Sequence, residues 1–310
     1  MSRTIRIGSR DSALAIRQAE ILMSCVQAND PSIAFELVLI KTAGDKILDR
    51  NLDEIGGKGL FIKELEQALL DESIDIAVHS YKDMPYEETE GLPVVALSER
   101  EDPFDVLILP EGASDIDKTK PVGSSSLRRA IQFSKLHQDC EVKSIRGNVP
   151  TRLSKLDQGE YSALILARAG LNRLSLQDRV SRVFTLEEMI PSGSQGILAV
   201  QGRVSGDYAF LDCFHSKASE TVSKGERRFL KTLSGGCSSP AAVFGQLDGN
   251  EILLTGMYVD DAGNIAKGSI RGNAGNAEIL GETLAKGLKD RTVIGNWIKS
   301  ETGVSLRNVK

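Results

Sequence analysis

Short apolar runs alternate with longer amphipathic stretches along the first half of the chain, which is the pattern of an α/β protein. The spacing predicts a strand at 3–8, a helix at 12–27 and a second strand at 35–41. An apolar strand at 74–78 then leads into the sequence HSYKDMP at 79–85, whose proline disfavours a helical continuation. The first unit is therefore predicted to be α/β, with the HSYKDMP turn at the end of a strand.

A second α/β unit is predicted from residue 99 onward, beginning with a strand at 104–109. Its GSSS loop at 123–126 repeats the order of strand, Gly-Ser loop and hydroxyl-capped helix that is also predicted at 7–14. Two such units facing each other would enclose a cleft, and ligands of open α/β sheets bind at the carboxyl ends of the strands. The cleft between the units is thus the default candidate for a binding site.

The last third of the chain predicts a smaller α+β unit. The sequence SGSQG at 192–196 indicates a joint, and the apolar run at 197–200 is expected to return to the first sheet. A charged helix from residue 216 precedes the GGC sequence at 235–237, and strands joined by Asp-Gly and Ala-Gly turns follow before a final helix at 277–290. The three predicted domains are 1–98 with 194–215, 99–193, and 216–310.

Composition narrows the classes of function. A chain of 310 residues with 41% hydrophobic residues is long enough for several cores, and its net charge of -5 argues against a basic nucleic-acid-binding surface. Any anion site must therefore be local. The N-terminus has no apolar signal-peptide core and no run is long enough to span a membrane, so we expect a cytoplasmic protein. Widely spaced cysteines predict neither a disulfide framework nor a metal site; they are Cys25, Cys140, Cys213 and Cys237.

A group of arginines lies in or beside the predicted strand-to-helix loops, where backbone N–H groups and helix dipoles already favour anions. Each guanidinium can bind a carboxylate through two hydrogen bonds. A single arginine is as well explained as a solvated surface charge, but a group next to the loop serines Ser125 and Ser126 favours an anion site. The arginines are Arg10, Arg128, Arg129, Arg146, Arg152 and Arg173.

Asp83 and Cys237 are the candidate chemical groups. Asp83 follows Lys82 in the HSYKDMP turn, where it is either a turn former, a carboxylate that stabilises a cation, or an acid that donates a proton. Cys237 lies in a Gly-rich loop suited to covalent attachment, without an obvious histidine partner for protease-type activation, and the alternative is an idle thiol. Lys58, in the GGKG sequence at 56–59, is either a mobile cation or part of a simple turn.

Together these motifs resemble the porphobilinogen deaminase family, also called hydroxymethylbilane synthase. The resemblance runs from Ile5 to at least Pro240, with the motifs in the family's order, and beyond Pro240 it lies mainly in the pattern of strands and helices. The matching segments are IGSRDSALA at 7–15, GGKGLFIKELE at 56–66, DIAVHSYKDMP at 75–85, EREDPFD at 99–105, GSSSLRR at 123–129, RGNVPTRLSKLD at 146–157 and GGC at 235–237.

The resemblance implies a three-domain transferase of porphyrin and haem biosynthesis, whose two α/β domains resemble a type II periplasmic binding protein. Such an enzyme condenses four porphobilinogen molecules head to tail, releases ammonia from each, and frees the linear tetrapyrrole hydroxymethylbilane by hydrolysis. It would carry a dipyrromethane cofactor joined by a thioether to Cys237, without a metal. Porphobilinogen would be its partner, with no nucleic acid and no membrane, and the enzyme would be a monomer.

The family's pattern also implies roles for single residues. Asp83 would contact the pyrrole nitrogens, assist loss of the amine and stabilise the azafulvene cation. Cofactor-binding side chains would be Lys82, Ser125, Ser126, Arg128, Arg129, Arg146 and Arg152. Substrate-binding side chains would be Arg10, Ser12, Phe61, Arg173 and Gln195. Lys58 would belong to a mobile loop that covers the cleft.

Some positions depart from the family's expected pattern. Ser124 occupies a position where Thr is usual, Ser194 one where Gly is usual, and Gln201 one where Glu is common. A Cβ at Ser194 would restrict the backbone if this position needs a positive φ. Two alternatives stay open, a non-catalytic cytoplasmic binding protein for an anionic small molecule and an inactive relative altered at the hinge, which is the predicted joint at 192–196 with the strand that follows it. Cys237 distinguishes the enzyme from the non-catalytic binding protein, because a binding protein needs no third domain that presents a thiol.

Overall fold

The computed structural model describes residues 4–41, 62–233, 240–290 and the backbone strand at 305–307. The strands of these residues form two mixed five-stranded sheets and one antiparallel four-stranded sheet. The predicted fold class, two α/β domains and a small α+β domain, is confirmed. The exact domain boundaries stay a prediction.

The first sheet has the strand order β2-β1-β3-β10-β4. Its elements are β1 (Thr4–Arg10), α1 (Ala13–Asn29), β2 (Ala34–Ile40), α2 (Lys63–Leu70), β3 (Ile76–Ser80), β4 (Val94–Leu97) and β10 (Leu198–Gly202). Strands β1 and β2 are parallel, so they need a crossover, and α1 provides it. Its apolar face packs Leu22 and Val26 against Ile5 and Ile7 of β1. β10 lies antiparallel between β3 and β4, so the run after the SGSQG joint does return to the first sheet as predicted.

The second sheet has the strand order β7-β6-β8-β5-β9. Its elements are β5 (Asp105–Ile108), β6 (Val122–Gly123), α3 (Leu127–Leu136), β7 (Val142–Lys143), α4 (Val149–Asp157), β8 (Ala163–Ala167), α5 (Arg168–Arg173) and β9 (Arg182–Val183). Side-chain caps explain where two of the helices begin. Ser126 accepts the Arg129 backbone N–H at the start of α3, and Asn148 accepts that of Thr151 at the start of α4.

The third domain packs two helices on an antiparallel sheet. Its elements are α6 (Lys217–Leu233), β11 (Ala241–Asp248), β12 (Glu251–Val259), β13 (Ile265–Asn273), α7 (Ala277–Lys289) and β14 (Ser305–Arg307). Helices α6 and α7 touch backbone to backbone, because a Cβ at Gly281 would lie 2.1 Å from the carbonyl oxygen of Gly225. Glycine at this crossing lets Phe229, Leu284 and Leu288 close one core beneath the helices.

Most element boundaries differ from the predictions by a few residues. The strand predicted at 104–109 spans Asp105–Ile108, and the helix predicted at 12–27 ends at Asn29. The loop at 43–58, with Lys58, lies outside the described residues, as do Phe61 and Cys237. None of the described helices combines the length and apolar character needed to cross a membrane.

Candidate active site

Asp83 lies on a single 3₁₀ turn, Tyr81–Asp83, that directly follows β3. The side chains on either side of Lys82 and Asp83 anchor this turn, since Tyr81 and Met84 are both buried in the core. Asp83 itself is exposed. The local sequence therefore fixes the turn through its apolar residues and leaves the carboxylate accessible, as a reacting group requires.

The centre of the site is a carboxylate that sequence reasoning did not single out. Asp105 is the first residue of β5 and is completely buried. Its Oδ2 accepts from Arg128 Nη1 at 2.7 Å, and its Oδ1 accepts from Arg129 Nε at 2.9 Å and from Gln195 Nε2 at 2.9 Å. Burial opposes ionisation, but Arg128 and Arg129 outweigh it and hold the pKa of Asp105 well below its usual range. Asp105 is thus a permanent anion inside the second domain.

Arg128 and Arg129 are therefore committed, at least in part, to an internal partner. Both guanidinium groups are buried, and Arg128 Nη1 also donates to the Ile190 carbonyl oxygen at 2.8 Å. Arg129 Nη1 donates to the Ile165 carbonyl oxygen at 3.2 Å. Their predicted contacts with cofactor carboxylates stay a prediction. The available signal was the final Asp of the EREDPFD motif, which opens an apolar strand and so needs cationic partners when it is buried.

Gln195 joins the turn of the first domain to Asp105 in the second. Its Oε1 accepts from Lys82 Nζ at 3.1 Å, while its Nε2 donates to Asp105 and to the Pro103 carbonyl oxygen at 2.6 Å. Burial lowers the pKa of Lys82 to about 8, although the neighbouring Asp83 acts in the opposite direction. Lys82 is thus a cation whose charge changes within the range of ordinary enzyme assays.

The charge around Asp83 is mainly positive. Burial lowers the pKa values of Lys82, Arg129 and Arg152, and Asp83 is close enough to each of them to raise the pKa in return. For Arg152, burial and then the charges of Arg129 and Arg146 bring the pKa to about 10. Cations that repel one another in a partly dry site gain most from a bound anion. The structure therefore brings three predicted cations, Lys82, Arg129 and Arg152, together around the predicted catalytic carboxylate.

The predicted serines organise the loops. Ser12 caps α1 by accepting the Ala15 N–H at 3.3 Å, and Ser126 caps α3 by accepting the Arg129 N–H at 3.4 Å. Ser125 Oγ accepts the Ile145 N–H at 3.1 Å and donates to the carbonyl oxygen of the same residue. Ser125 thereby ties the loop after β6 to the loop that carries Arg146.

Other predicted arginines lie at the ends of the elements that surround the site. Arg10 ends β1, and after burial its charge is a further cause that lowers the pKa of His79, to about 4. Arg152 Nε donates to the Gly147 carbonyl oxygen at 2.7 Å. Arg173 Nη2 donates to the Gly196 carbonyl oxygen at 2.6 Å, and burial lowers its pKa to about 10. Arg173 thus lies against the hinge, whereas Arg152 lies with Asp83.

The structure confirms that Ser194 has the positive φ considered in the sequence analysis. Its φ is +62°, in the left-handed region, and its buried hydroxyl has no hydrogen-bond partner among the described residues. The Ser194 N–H donates to Glu226 Oε2 of α6 at 2.6 Å. Glu226 is completely buried and also accepts from Arg100 Nη1 at 2.9 Å and from the Gly245 N–H at 2.7 Å. A carboxylate of the third domain therefore holds the hinge of the other two.

The other departures from the family's expected pattern keep local hydrogen bonds. Buried Gln201 donates through Nε2 to Glu66 Oε1 at 2.9 Å and to the Leu92 carbonyl oxygen at 3.0 Å. Here an amide suits the site, because a carboxylate would face Glu66 and could not donate. Ser124 Oγ accepts the Ser126 N–H at 3.3 Å, so its hydroxyl is in use. The described part of the chain contains no group of three or more His, Cys, Asp or Glu residues that could hold a metal ion.

Comparison with known proteins identifies the family. The family model described as "Porphobilinogen deaminase, dipyromethane cofactor binding domain" matches residues 5–210, and "Porphobilinogen deaminase, C-terminal domain" matches residues 221–290. Among solved structures, the effector-binding domain of BenM with benzoate is 11% identical, with a TM-score of 0.42 over 77% of this chain and 97% of that chain.

Curated relatives agree with the family models over nearly the whole chain. The porphobilinogen deaminase of Acetivibrio thermocellus is 54% identical over 281 residues, which cover 91% of this chain and 96% of the relative. That of Nostoc sp. is 43% identical over 298 residues, which cover 93% of this chain and 92% of the relative. The chain therefore belongs to the porphobilinogen deaminase family.

Proposed function

We propose that this chain joins four porphobilinogen molecules into hydroxymethylbilane, with release of ammonia at each condensation, and that Asp83 is the carboxylate on which the chemistry depends. The observation that supports the proposal most directly is the group of cations around Asp83, formed by Lys82, Arg129 and Arg152. Each pyrrole carries an acetate and a propionate, so a growing chain is strongly anionic. Local cations in an acidic protein suit such a substrate.

The dipyrromethane cofactor of the family fits the residues that are present. Side chains able to hold its carboxylates are Lys82, Arg129, Arg146 and Arg152, with Ser125 and Ser126 in the adjoining loop. These cations are partly buried, and burial destabilises the charge of Lys82, Arg129 and Arg152 until an anion compensates it. When bound through Cys237, the cofactor would supply the free α-carbon to which the first substrate is joined.

Asp83 acts in this proposal as an ionised carboxylate. Loss of the amine from porphobilinogen leaves positive charge on the pyrrole, and a fixed carboxylate beside the ring nitrogen stabilises that charge as it develops. Lys82 and the arginines bind the acetate and propionate groups and so orient the ring toward Asp83. Gln195 keeps Lys82 in place through the 3.1 Å hydrogen bond. A monomeric state and a cytoplasmic location remain predictions.

The mass of the denatured purified protein tests the proposal. An excess of two linked pyrrole units, mapped to the peptide that contains Cys237, together with ammonia release from porphobilinogen, is the expected result. An unmodified mass that persists after incubation with porphobilinogen would favour the non-catalytic binding protein. A loaded protein that releases no product would instead indicate the inactive relative.

A further inference from the structure

Arg227 of α6 contacts the turn that carries Asp83, although it belongs to the third domain. Its Nη1 donates to the Tyr81 carbonyl oxygen at 3.4 Å, and its Nη2 donates to the Pro85 carbonyl oxygen. The guanidinium carbon lies 4.3 Å from the ring centroid of Tyr81 and 5.7 Å from that of Tyr86. One side chain therefore holds both ends of the turn and both aromatic rings beside it.

The geometry requires a guanidinium. A planar fork donates to two carbonyl groups at once and stacks on aromatic faces, which a lysine ammonium cannot do together. Burial of Tyr81 and Met84 anchors the turn, whose internal hydrogen bond from the Met84 N–H to the Tyr81 carbonyl oxygen is 3.3 Å long. Arg227 adds hydrogen bonds from the third domain to the carbonyl groups at both ends of this segment.

The preceding residue of α6 performs a matching task at the hinge. Glu226 accepts the Ser194 N–H at 2.6 Å, so consecutive residues of one helix hold the hinge and the turn. Helix α6 ends at Leu233, four positions before Cys237 in the sequence. The helix that leads to the cofactor cysteine is therefore the helix that restrains Asp83.

We propose that Arg227 is a positioning residue, which fixes the Tyr81–Pro85 turn so that the Asp83 carboxylate is held at the reacting centre. The proposal rests on the function of Asp83 proposed above. It makes the third domain part of the catalytic geometry and not only the carrier of the cofactor. Arg227 acts through the turn and need not touch substrate.

Three variants of the holoenzyme test this role: Arg227→Met, Arg227→Lys and, as a matched control, Arg228→Met. Arg228 lies on the same helix but pairs with Glu282 of α7. We expect Arg227→Met to speed hydrogen exchange of the amides at 81–86 and to lower kcat about tenfold or more, with KM and cofactor mass nearly unchanged. Arg227→Lys should be intermediate, and Arg228→Met should leave both readouts unaltered.

Normal exchange and normal kcat in Arg227→Met would overturn the proposal, as would an equal loss in Arg228→Met. Asp83→Asn, measured in parallel, separates this failure from failure of the proposed function. If Asp83→Asn stays fully active, the proposed role of Asp83 is wrong, and the proposed positioning role of Arg227, which depends on it, is wrong as well. If Asp83→Asn is inactive while Arg227→Met behaves as wild type, only the positioning role is wrong.

An independent observation concerns two thiols on the first domain. Cys25 Sγ lies 3.5 Å from the carbonyl oxygen of Cys213, and Cys213 Sγ lies 3.9 Å from the carbonyl oxygen of Cys25. Cys213 is exposed and Cys25 is half-buried. Burial and then the neighbouring Cys213 thiol raise the pKa of Cys25. The reciprocal contacts bring each thiol to the backbone of the other cysteine.

The pair joins α1 to the segment at 203–216 that leads from β10 into α6. Leu211 and Phe214 of this segment pack in the same core as Leu22 and Val26 of α1. Cys25 lies about 20 Å along α1 from its N-terminal end at a rise of about 1.5 Å per residue. A bond here would fasten the connector to the first domain without touching the residues around Asp83.

We infer that Cys25 and Cys213 form a reversible disulfide by exchange with a low-molecular-weight disulfide. The exposed Cys213 thiolate attacks that disulfide and expels one small thiolate. The Cys25 thiolate then attacks the Cys213 sulfur and expels the second. Two S–H bonds are lost, one S–S bond forms, and the small disulfide is reduced to two thiols. The sequence alone did not predict this pairing, since the two residues are 188 positions apart.

Incubation of the holoenzyme with oxidised glutathione tests the inference. We expect a mass loss of two hydrogen atoms, a peptide that links Cys25 to Cys213, a higher melting temperature and unchanged turnover, all reversed by a reductant. Cys213→Ala should abolish the link, and Cys140→Ala should retain it. A stable glutathione adduct on Cys213 with Cys25 present, or a link to another cysteine, would overturn the inference.

Discussion

Lys82 donates to the side-chain oxygen of Gln195 at 3.1 Å, so the residue that precedes Asp83 is bound to the hinge between the α/β domains. The amide nitrogen of the same Gln195 donates to Asp105 at 2.9 Å. The position of Lys82 therefore depends on a buried carboxylate that it does not touch directly. Lys82 of the turn, Gln195 of the hinge and the buried Asp105 therefore form one hydrogen-bonded network.

Asp83→Asn should lower turnover about 100-fold or more, because the amide keeps the shape but removes the charge that stabilises the developing cation. The melting temperature should change little, since Asp83 is exposed. Ammonia release from porphobilinogen measures the effect. Asp212→Asn, which changes another exposed carboxylate outside this network, is the control and should keep full activity.

Asp105→Asn should lower the free energy of unfolding by about 3–5 kcal/mol, because it leaves the buried Arg128 and Arg129 without their anion. Urea denaturation measures the loss. The matched change is Asp102→Asn, whose partner Arg168 has a side chain that is 37% exposed, and it should cost at most about 1 kcal/mol. Equal losses in the two variants would contradict the central role of Asp105.

The pH dependence of kcat/KM should show the titration of Lys82. Its pKa is about 8 in the ligand-free protein, and kcat/KM reports the pKa values of the free enzyme, so kcat/KM should fall as pH rises through about 8. The cause is loss of the cation that binds substrate carboxylates. Lys82→Arg stays protonated and should move the fall to higher pH. A profile that is the same in both proteins would exclude Lys82 as the titrating group.

The lowered pKa of Lys82 affects the free energy of unfolding in the direction opposite to its effect on activity. The sign follows from the number of protons that the folded and unfolded chains bind. The pKa of Lys82 is lowered in the folded chain, so above about pH 8 the unfolded chain binds more protons at this position. The contribution of Lys82 to the free energy of unfolding therefore rises between that pH and the ordinary lysine pKa. Activity and this contribution to stability should change in opposite directions.

Ser194→Gly should raise the free energy of unfolding by about 1 kcal/mol. Glycine relieves the backbone strain at φ +62° and removes a buried hydroxyl that has no partner among the described residues. It also raises the conformational entropy of the unfolded chain, which offsets part of this gain. Ser194→Ala removes the hydroxyl but keeps the strained Cβ, so it separates the two effects in urea denaturation. An alanine variant more stable than the glycine variant would show that strain is unimportant here.

The order of strands and helices could be predicted because it depends on local patterns. Alternation along β1, the Ser126 cap of α3 and the glycine-rich joint at 192–196 each carry their signal within a few residues. The cations around Asp83 could also be anticipated, since each lies in or next to a loop at the end of a predicted strand. Parallel strands then bring such loops to one edge of a sheet.

The partners inside the site could not be predicted in the same way. Asp105 meets Arg128 and Arg129 across 23 and 24 positions and Gln195 across 90, which no local pattern specifies. Glu226 and Arg227 belong to a helix that the sequence predicts only as a charged helix before the GGC sequence. Only the three-dimensional structure shows that Glu226 is buried against the hinge and that Arg227 binds the Tyr81–Pro85 turn.

The carboxylate of Glu226 binds Ser194 at the hinge, Gly245 in β11 and Arg100 on the chain that leads out of the first sheet. These contacts place one buried carboxylate of the third domain against the segments that join the other two. A substitution at Glu226 would therefore disturb contacts of all three domains at once.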